Sequence, residues 1–406
     1  DSSPSAYAEI DGAGGDLIIS CDGGDDDSNS VIKFKIDNSE KMQIDSGGAV
    51  KFNNAYTFPT SDGSASQVLQ TDGSGAISFE TVSAGPTHKT FGTSSIMVGD
   101  NATGTINAAN YNTGLGVDIF AALTEGDYNI AVGYQALAAN TTGSTNTAVG
   151  ALALDANTTG GSNTAVGVQA LSANTTASNN TAIGKAAGEN ITTGAFNTAV
   201  GGSSLDANTT GSYNTAIGYD SLTANTTAAE NTAIGFYCMR VNTTGTRNVA
   251  MGYNTLAGNT TANNNTAIGH NAMASNTTGY DNVALGRIAL DHNTTGYANV
   301  SVGESSLTSN TTGYRNTAVG QNALATCTEG LENTAVGQNA LNDLTTGDTN
   351  VAVGQNAGSA ITEGLNNVAI GVNSLDACTT PSNNTAVGTS SLSALNTTSC
   401  TAIGYE

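Results

Sequence analysis

From residue 112 onward the apolar positions of the chain follow one metre. An alanine (Ser301 in one copy), then an apolar residue, usually Val or Ile but also Met251 and Leu285, then a glycine recur every 17 residues, from Val132-Gly133 through Val149-Gly150 to Val387-Gly388. Counting that glycine as position 0, position 4 is Leu or Met in most copies, as in Leu137, Leu154, Leu171 and Met239, with Gly188 and Gly358 breaking the row. Positions 15 and 16, Ala and Val/Ile, are neighbours on a short β-branched run, and neighbours on a strand face opposite sides. Both sides are apolar here, the pattern of a parallel strand covered on both faces. Strands this short, separated by Asn-Thr-Thr-Gly turns at a fixed period, predict stacked coils rather than a globular core. The fold class read from the pattern is all-β: a parallel β-solenoid, or β-roll, with 17-residue coils. One apolar strand face looks into the coil, where the Leu row meets it. The other must be covered from outside, which predicts three coils packed about a common axis in a homotrimeric fibre.

The polar positions keep the same metre. Position 13 is Asn without a miss from Asn112, Asn129, Asn146 and Asn163 through Asn180, Asn197, Asn214 and Asn231 to Asn384. Stacked Asn side chains can bond from coil to coil and satisfy turn backbone, so this row reads as structural. The same structural role is expected of Gly133, Gly150 and Gly167, which allow a tight bend or close backbone approach. It is expected as well of Val149, Leu154 and the position 8 threonine Thr158. The Asn-Thr-Thr-Gly stretch, as in Asn140 to Gly143, reads as the outer turn, and its repeated glycosylation sequons are explained by the repeat itself. Variation concentrates at position 1 (Tyr134, Ala151, Val168, Lys185, later Tyr219, Phe236, Tyr253 and His270), so that position faces solvent or a permissive groove. Tyr134, Tyr219, Phe236 and Tyr253 form the candidate lateral contacts for a receptor, weighed against scattered aromatics on a stalk.

Residues 1–95 have another texture. Ile32, Phe34 and Ile36 alternate with Lys33 and Lys35, followed by Met42, Ile44, Val50 and Phe52, with turn signals at Asp37-Asn38, Ser46-Gly47-Gly48, Asp62-Gly63 and Asp72-Gly73. This predicts a β-rich shaft or attachment segment too thin to stand as a globule. Residues 96–128 read as the entry cap, with Ile106, Leu115, Ile119, Phe120 and Leu123 covering the first coil. Residues 129–388 are the solenoid. Residues 389–406 break the register, because Gly388 to Gly404 is a step of 16, Cys400 stands where Asn is expected and Leu395 precedes Asn396. That is the signature of a cap or a handover to a further domain.

Composition narrows the chemistry. A net charge of −23 with no basic patch argues against nucleic acid as a partner. No apolar run reaches the length of a membrane span, so no membrane insertion is expected. The acidic run Asp22 to Asp27 fits no calcium-loop spacing and reads as a solvated turn. The five cysteines include no C-x-x-C pair, and Cys327 and Cys378 share a position three coils apart, about 14 Å, too far for a disulfide. His88, His270 and His292 stand in unrelated contexts, and no nucleophile triad, metal cluster or phosphate loop is present. Glu329, Glu332 and Glu363 occupy exposed slots, but a coil this thin makes no cleft for paired carboxylates. Neither a catalytic activity nor a cofactor is expected.

Two sets of residues resemble known families. The core Asn214-Thr-Ala-Ile-Gly218 resembles the head repeats of trimeric autotransporter adhesins, which fold as trimeric parallel β-rolls. The Asn-Thr-Thr-Gly-rich copies are more similar to central shafts of bacteriophage tail fibres. So are Ile36-Asp-Asn-Ser-Glu-Lys-Met42-Gln-Ile-Asp45 and Tyr56-Thr-Phe-Pro-Thr-Ser-Asp-Gly63 followed by Gln67-Val-Leu-Gln-Thr-Asp-Gly73. The resemblance implies a structural fibre of a virion, tail or capsid, that supports attachment to a host-surface glycan or protein receptor, with other virion proteins as further partners. The alternatives are a cellular trimeric adhesin or extracellular filament, and an ice-binding solenoid. The last is disfavoured because Thr147 and its equivalents sit beside an Asn/Ala strand and not in a Thr-x-Thr face.

Overall fold

The structure, a computed structural model, describes residues 108–393 and 398–405, together with the earlier segments 31–36, 39–45, 48–52, 56–59, 61, 64, 67–71, 77–81, 87–91 and 95–99. Cys21, the acidic run Asp22 to Asp27, the turn signals at Asp37-Asn38, Ser46-Gly47, Asp62-Gly63 and Asp72-Gly73, and Ile106, Leu395 and Asn396 lie outside the described residues. The chain divides into two units, Asp1–Gly85 and Pro86–Glu406.

In the first unit Ile32–Ile36, Ser39–Ile44, Val50–Phe52 and Tyr56–Thr57 form a four-stranded antiparallel sheet, and Gln67–Thr71 pairs with Ile77–Thr81 as a separate hairpin. Phe34 opposes Met42, which opposes Phe52. Lys33 bridges Glu40 at 3.0 Å, and Phe52 meets Phe58 edge to face at 5.5 Å. Among the described residues of this unit no apolar side chain is fully buried. Cross-strand pairs, and not a core, hold it.

The second unit is the solenoid. Thr87–Phe91 pairs antiparallel with Ser95–Gly99. From Ser95–Gly99 to Thr401–Ile403, 19 strands stack in parallel in chain order, and among the described residues there is no helix. Register is one coil to the next without slip: Thr147 beside Thr164, Ala148 beside Ala165, Val149 beside Val166. From Leu115 to Ile403 the stack extends about 80 Å at the usual strand spacing.

Within the segment read as an entry cap, the described residues from 108 to 128 follow the coil pattern. Thr113–Leu115 joins the sheet, and Ile119, Phe120 and Leu123 occupy positions 3, 4 and 7 of its coil, all fully buried. The break at the other end is absorbed as well. Thr401–Ile403 pairs in register with Thr385–Val387 across the 16-residue coil, and the Cys400 amide donates to Asn384 Oδ1 at 2.8 Å, as an Asn amide does elsewhere.

From Ile130–Val132 to Thr385–Val387 each three-residue strand turns its middle residue, alanine or once Ser301, inward and buried against the buried residues of positions 3 and 4. Positions 14 and 16 face outward, half-buried or exposed. The outward face is thus alternating Thr and Val/Ile, and Thr147 shares it with Val149. The two apolar rows of the pattern have separated, the small one inside and the large one outside.

The turns are made by left-handed backbone. Positions 2, 4 and 12 have φ near +55°, as at Gln135, Leu137 and Thr145, in almost every coil, although few of these residues are glycine. Such a conformation costs an L-residue about 1–2 kcal/mol. It persists because both neighbouring coils fix it: the Gln135 amide donates to Val117 O at 2.9 Å and the Leu137 amide to Ala153 O at 3.1 Å. At position 0 φ lies between 128° and 146°, and a Cβ on Gly150 would sit inside contact distance of the Gly167 carbonyl. Only glycine fits there, for both reasons.

Candidate functional site

Two kinds of residue stand out as sites: the buried asparagines and the aromatic rows. The position 13 asparagines are buried, and each side chain ties together neighbouring coils. Asn146 Nδ2 donates to the Gly160 carbonyl at 2.8 Å, its Oδ1 accepts the Asn163 amide at 3.0 Å, and its own amide donates to Asn129 Oδ1 at 2.9 Å. The same bonds recur at Asn129, Asn163, Asn180, Asn197, Asn214 and Asn231. Asn112 begins the row, donating to Gly126 O and accepting from the Asn129 amide. Buried amide groups of both kinds, side chain and backbone, are thereby satisfied.

A second ladder was not legible in the Asn-Thr-Thr-Gly turn. Asn140, Asn157 and the other position 7 asparagines are equally buried, so this part of the turn is interior, not outer. Asn157 Nδ2 donates to Asn140 Oδ1 at 2.8 Å and to Gly160 O at 3.0 Å. Both ladders therefore converge on the position 10 carbonyl. The Nδ2 atoms of the sequons are buried and committed. The threonines beside them are used too: Thr158 Oγ1 donates to Thr175 O at 3.0 Å, and the Thr141, Thr142 and Gly143 amides all converge on Thr158 O.

The second ladder has gaps. Position 7 is apolar or Cys at Leu123, Ile191, Cys327, Leu344, Ile361 and Cys378. Two buried acceptors are left without a partner in this region, Asn174 Oδ1 and Asn310 Oδ1, and each lies one coil before such a gap, at Ile191 and Cys327. At Ile191 and Ile361 the exchange is compensated three residues earlier. Gly188 and Gly358 stand where Leu is usual, and a Cβ on Gly188 would lie 2.9 Å from Ile191 Cδ1. The glycines that broke the Leu row are thus the other half of an Asn-to-Ile exchange.

The candidate lateral contacts fall into two groups. Tyr219, Phe236 and Tyr253 stack face to face with centroids 5.5 and 5.7 Å apart, and His270 continues the stack at 5.2 Å from Tyr253. Tyr134 is five coils away, about 24 Å, and does not join them. The ring faces of the stack are taken up by one another, and the first covers Gly202, whose Cβ would meet the Tyr219 ring at 3.4 Å. What projects outward is ring edges, with Tyr219 and Tyr253 50% exposed and Phe236 41%. This arrangement offers hydroxyls and CH edges, not a flat ring platform.

Around the stack the coils carry charge. Tyr237 packs against Phe236 at 4.0 Å with its plane turned by 49°, and the Arg240 guanidinium lies 4.9 Å over it. Thr223 Oγ1 donates to Asp206 Oδ1 at 2.6 Å. The Asp220 carboxyl is raised above its ordinary range by desolvation, then by Asp206, with Arg240 opposing. Two further aromatic rows occupy other positions: Phe196 with Tyr213, and Tyr280 with Tyr297 and Tyr314. Ion pairs likewise bridge consecutive coils, Arg315 to Glu332 at 3.0 Å and Arg287 to Glu304. His292 Nδ1 donates to Thr308 O at 2.9 Å.

Among the described residues no cluster of three His, Cys, Asp or Glu is placed to hold a metal ion, and no helix is long and apolar enough to cross a membrane. Cys238 and Cys327 are buried, which pushes each thiol up to about 12. No protein-family model, curated protein or solved structure matches the chain.

Proposed function

We propose that the chain is a structural fibre protein of a virion, of the tail or capsid, that extends from the particle and supports attachment to the host surface. It works as a homotrimer: three coils meet through their outward Thr/Val faces, and other virion proteins and a host-surface glycan or protein are its further partners. The observation that carries the reading is the outward row at position 16. It runs the length of the stack from Leu115 to Ile403 and includes Ile183, Ile217, Met251, Val353 and Ile370, each 37–42% exposed. A single chain leaves such a row in water along its whole length, and contiguous apolar surface of this extent marks an interface. The acidic surface suits a long particle that must stay dispersed. Attachment through several identical weak contacts gains from effective concentration.

Light scattering on the purified chain tests the assembly, with a molar mass three times 40.3 kDa expected. A monomer at micromolar concentration overturns it. Antibody labelling of particles then tests the location: decoration of fibres supports the virion reading, whereas decoration of a cell surface transfers the rod to a cellular adhesin or filament.

A further inference from the structure

An assembly of identical coils has a register problem. Sliding one chain by a coil, about 4.8 Å, brings equivalent positions together again, and uniform faces specify register weakly. The outward face is not uniform, however. Position 16 is Val at Val132, Val149 and Val166, and again at Val302, Val319, Val336 and Val353. Between these runs, after a lone Ile183 and then Val200, stand five larger side chains in succession: Ile217, Ile234, Met251, Ile268 and Leu285.

Position 1 changes in the same coils. Tyr219, Phe236 and Tyr253 follow Ile217, Ile234 and Met251 with only the glycine between, and their stacking fixes them as one strip. Two residues along the chain span at most about 7 Å, so the two enlarged rows lie side by side. Ile217, Met251 and Phe236 are 37–41% exposed, and Tyr219 and Tyr253 50%. Bulk at two positions therefore coincides in one block of coils, flanked by slimmer coils on either side.

We infer that this block is an axial register key between copies of the chain: on assembly it seats block against block and thereby fixes coil n of one copy beside coil n of the next. The inference rests on the assembly proposed above. The occupant is a second copy, because the face is about 80 Å long and roughly 10 Å wide, close to the ~800 Å² per partner of a stable interface. Copies related by rotation about one axis run parallel, so like coils meet only when the blocks coincide. A slip by one coil sets a large side chain against a slim one at each end of the block, so that a large-on-large contact is lost and a gap is left at both ends.

The test uses the full chain carrying Cys21→Ser and Cys400→Ser, with the buried cysteines retained. Thr193→Cys and Thr278→Cys, both at exposed turn positions outside the Thr/Val strand face, are introduced in separate chains, labelled with nitroxides and co-assembled. Unlike labels five coils apart then report the offset between chains by dipolar spectroscopy. One narrow inter-chain distance is expected. In a levelled variant, with Ile217, Ile234, Met251, Ile268 and Leu285 all changed to Val, the same molar mass is expected. Its distance should split into components several ångström apart. A levelled variant that keeps the single distance overturns the key. A levelled variant that falls to monomers makes the block an affinity anchor and overturns it equally. A monomeric parent instead defeats the assembly itself, an outcome that light scattering reads before any label is attached.

Discussion

The gaps in the second asparagine ladder give an unusual opportunity to stabilise the rod by restoring its own rule. Asn174 Oδ1 is buried and unpartnered because Ile191 follows it where Asn would donate. On the far side of the gap Asn208 Nδ2 donates to Gly211 O at 2.9 Å, and Asn225 resumes the ladder by donating to Asn208 Oδ1 at 2.9 Å. Ile191→Asn would place a donor on Asn174 Oδ1 and an acceptor for Asn208 Nδ2, joining the two stretches. Removing one buried orphan is worth about 1–3 kcal/mol and each net hydrogen bond about 1. The apolar volume of Ile191 must be returned, and Gly188→Leu returns it at the position where Leu lies in nearly every other coil. Its φ of +57° matches the +52° of Leu171 and Leu222, so Leu enters a conformation this chain already gives it.

The double variant should gain about 2–3 kcal/mol. Each single should lose stability: Gly188→Leu by pressing on Ile191, and Ile191→Asn by opening a cavity beside Gly188. Cys327→Asn is the control, since it would satisfy Asn310 Oδ1 yet leave its own Oδ1 facing Leu344. It moves the orphan by one coil and should change stability by less than about 1 kcal/mol. Hydrogen exchange of the coils around the gap, read with urea unfolding, measures all four. Equal effects of the double variant and Cys327→Asn, or additive singles, would refute the argument that ladder continuity sets local stability.

Four further outcomes follow from the same geometry. Asn231→Ala strips the Asn248 amide of its buried acceptor at 3.0 Å and should cost about 3 kcal/mol, whereas Asn225→Ala orphans no backbone amide and should cost about half that in the same exchange experiment. Gly150→Ala meets both a positive φ and the Gly167 carbonyl and should unfold its neighbourhood, while Gly202→Ala, with nothing nearer than 3.4 Å, should stay within about 0.5 kcal/mol by urea titration. Burial raises Asp155, Asp291 and Asp376 above 3.8, so their charged forms penalise the fold at every pH above those raised values. The penalty fades as pH falls towards 3.8, so urea midpoints should rise from pH 7 to about 4, and Asp155→Asn should flatten that rise. Alkylation at pH 8 should spare Cys238 and Cys327 in the folded chain and modify them only in denaturant, as mass spectrometry of peptides would reveal.

What was legible in the chain, and what was not, divides by the range of the interaction. The period, the parallel stacking and a strand apolar on both faces follow from nearest-neighbour repetition, which any residue at the same position announces. Which row faces inward, Ala or Val, did not follow, because both are apolar. The interior role of Asn140 and Asn157 did not announce itself, because Asn-Thr-Thr-Gly is also ordinary turn chemistry. Its one clue was the replacement of that Asn by Ile191, Leu344 and Ile361, since an apolar substitute is tolerated only where water is absent. The left-handed turns were hidden for a related reason. Leu154 or Phe196 at φ above +50° contradicts local preference, and only the pairing with the coils on either side enforces it. Here Gly188 and Gly358 were the clue, being the residues a left-handed site would favour in isolation. Of the aromatic site, Tyr219, Phe236 and Tyr253 were legible as a row, since shared position means shared place. That their faces are spent on one another was not, because stacking depends on side-chain tilt and not on spacing.

These features bear on how a rod of this kind varies. Backbone bonds run from each coil to both of its neighbours, in strand and turn alike, so each coil is stabilised by the one before and the one after. The interior must then agree between successive coils: a change at position 7 leaves an orphan such as Asn174 Oδ1 unless position 4 and the next coil change with it. The outward positions carry no such constraint. Position 1 holds Ala151, Lys185, Tyr219 and Glu304 on the same backbone. Position 16 ranges from Val149 to Met251 without disturbing the sheet. Sequence can therefore be written on the surface coil by coil while length and stiffness are set underneath. The enlarged block from Ile217 to Leu285 departs from the repeat only at such free positions, and no interior bond requires it. A feature that the fold does not need, confined to the face the fold leaves uncovered, has to be explained by what that face meets.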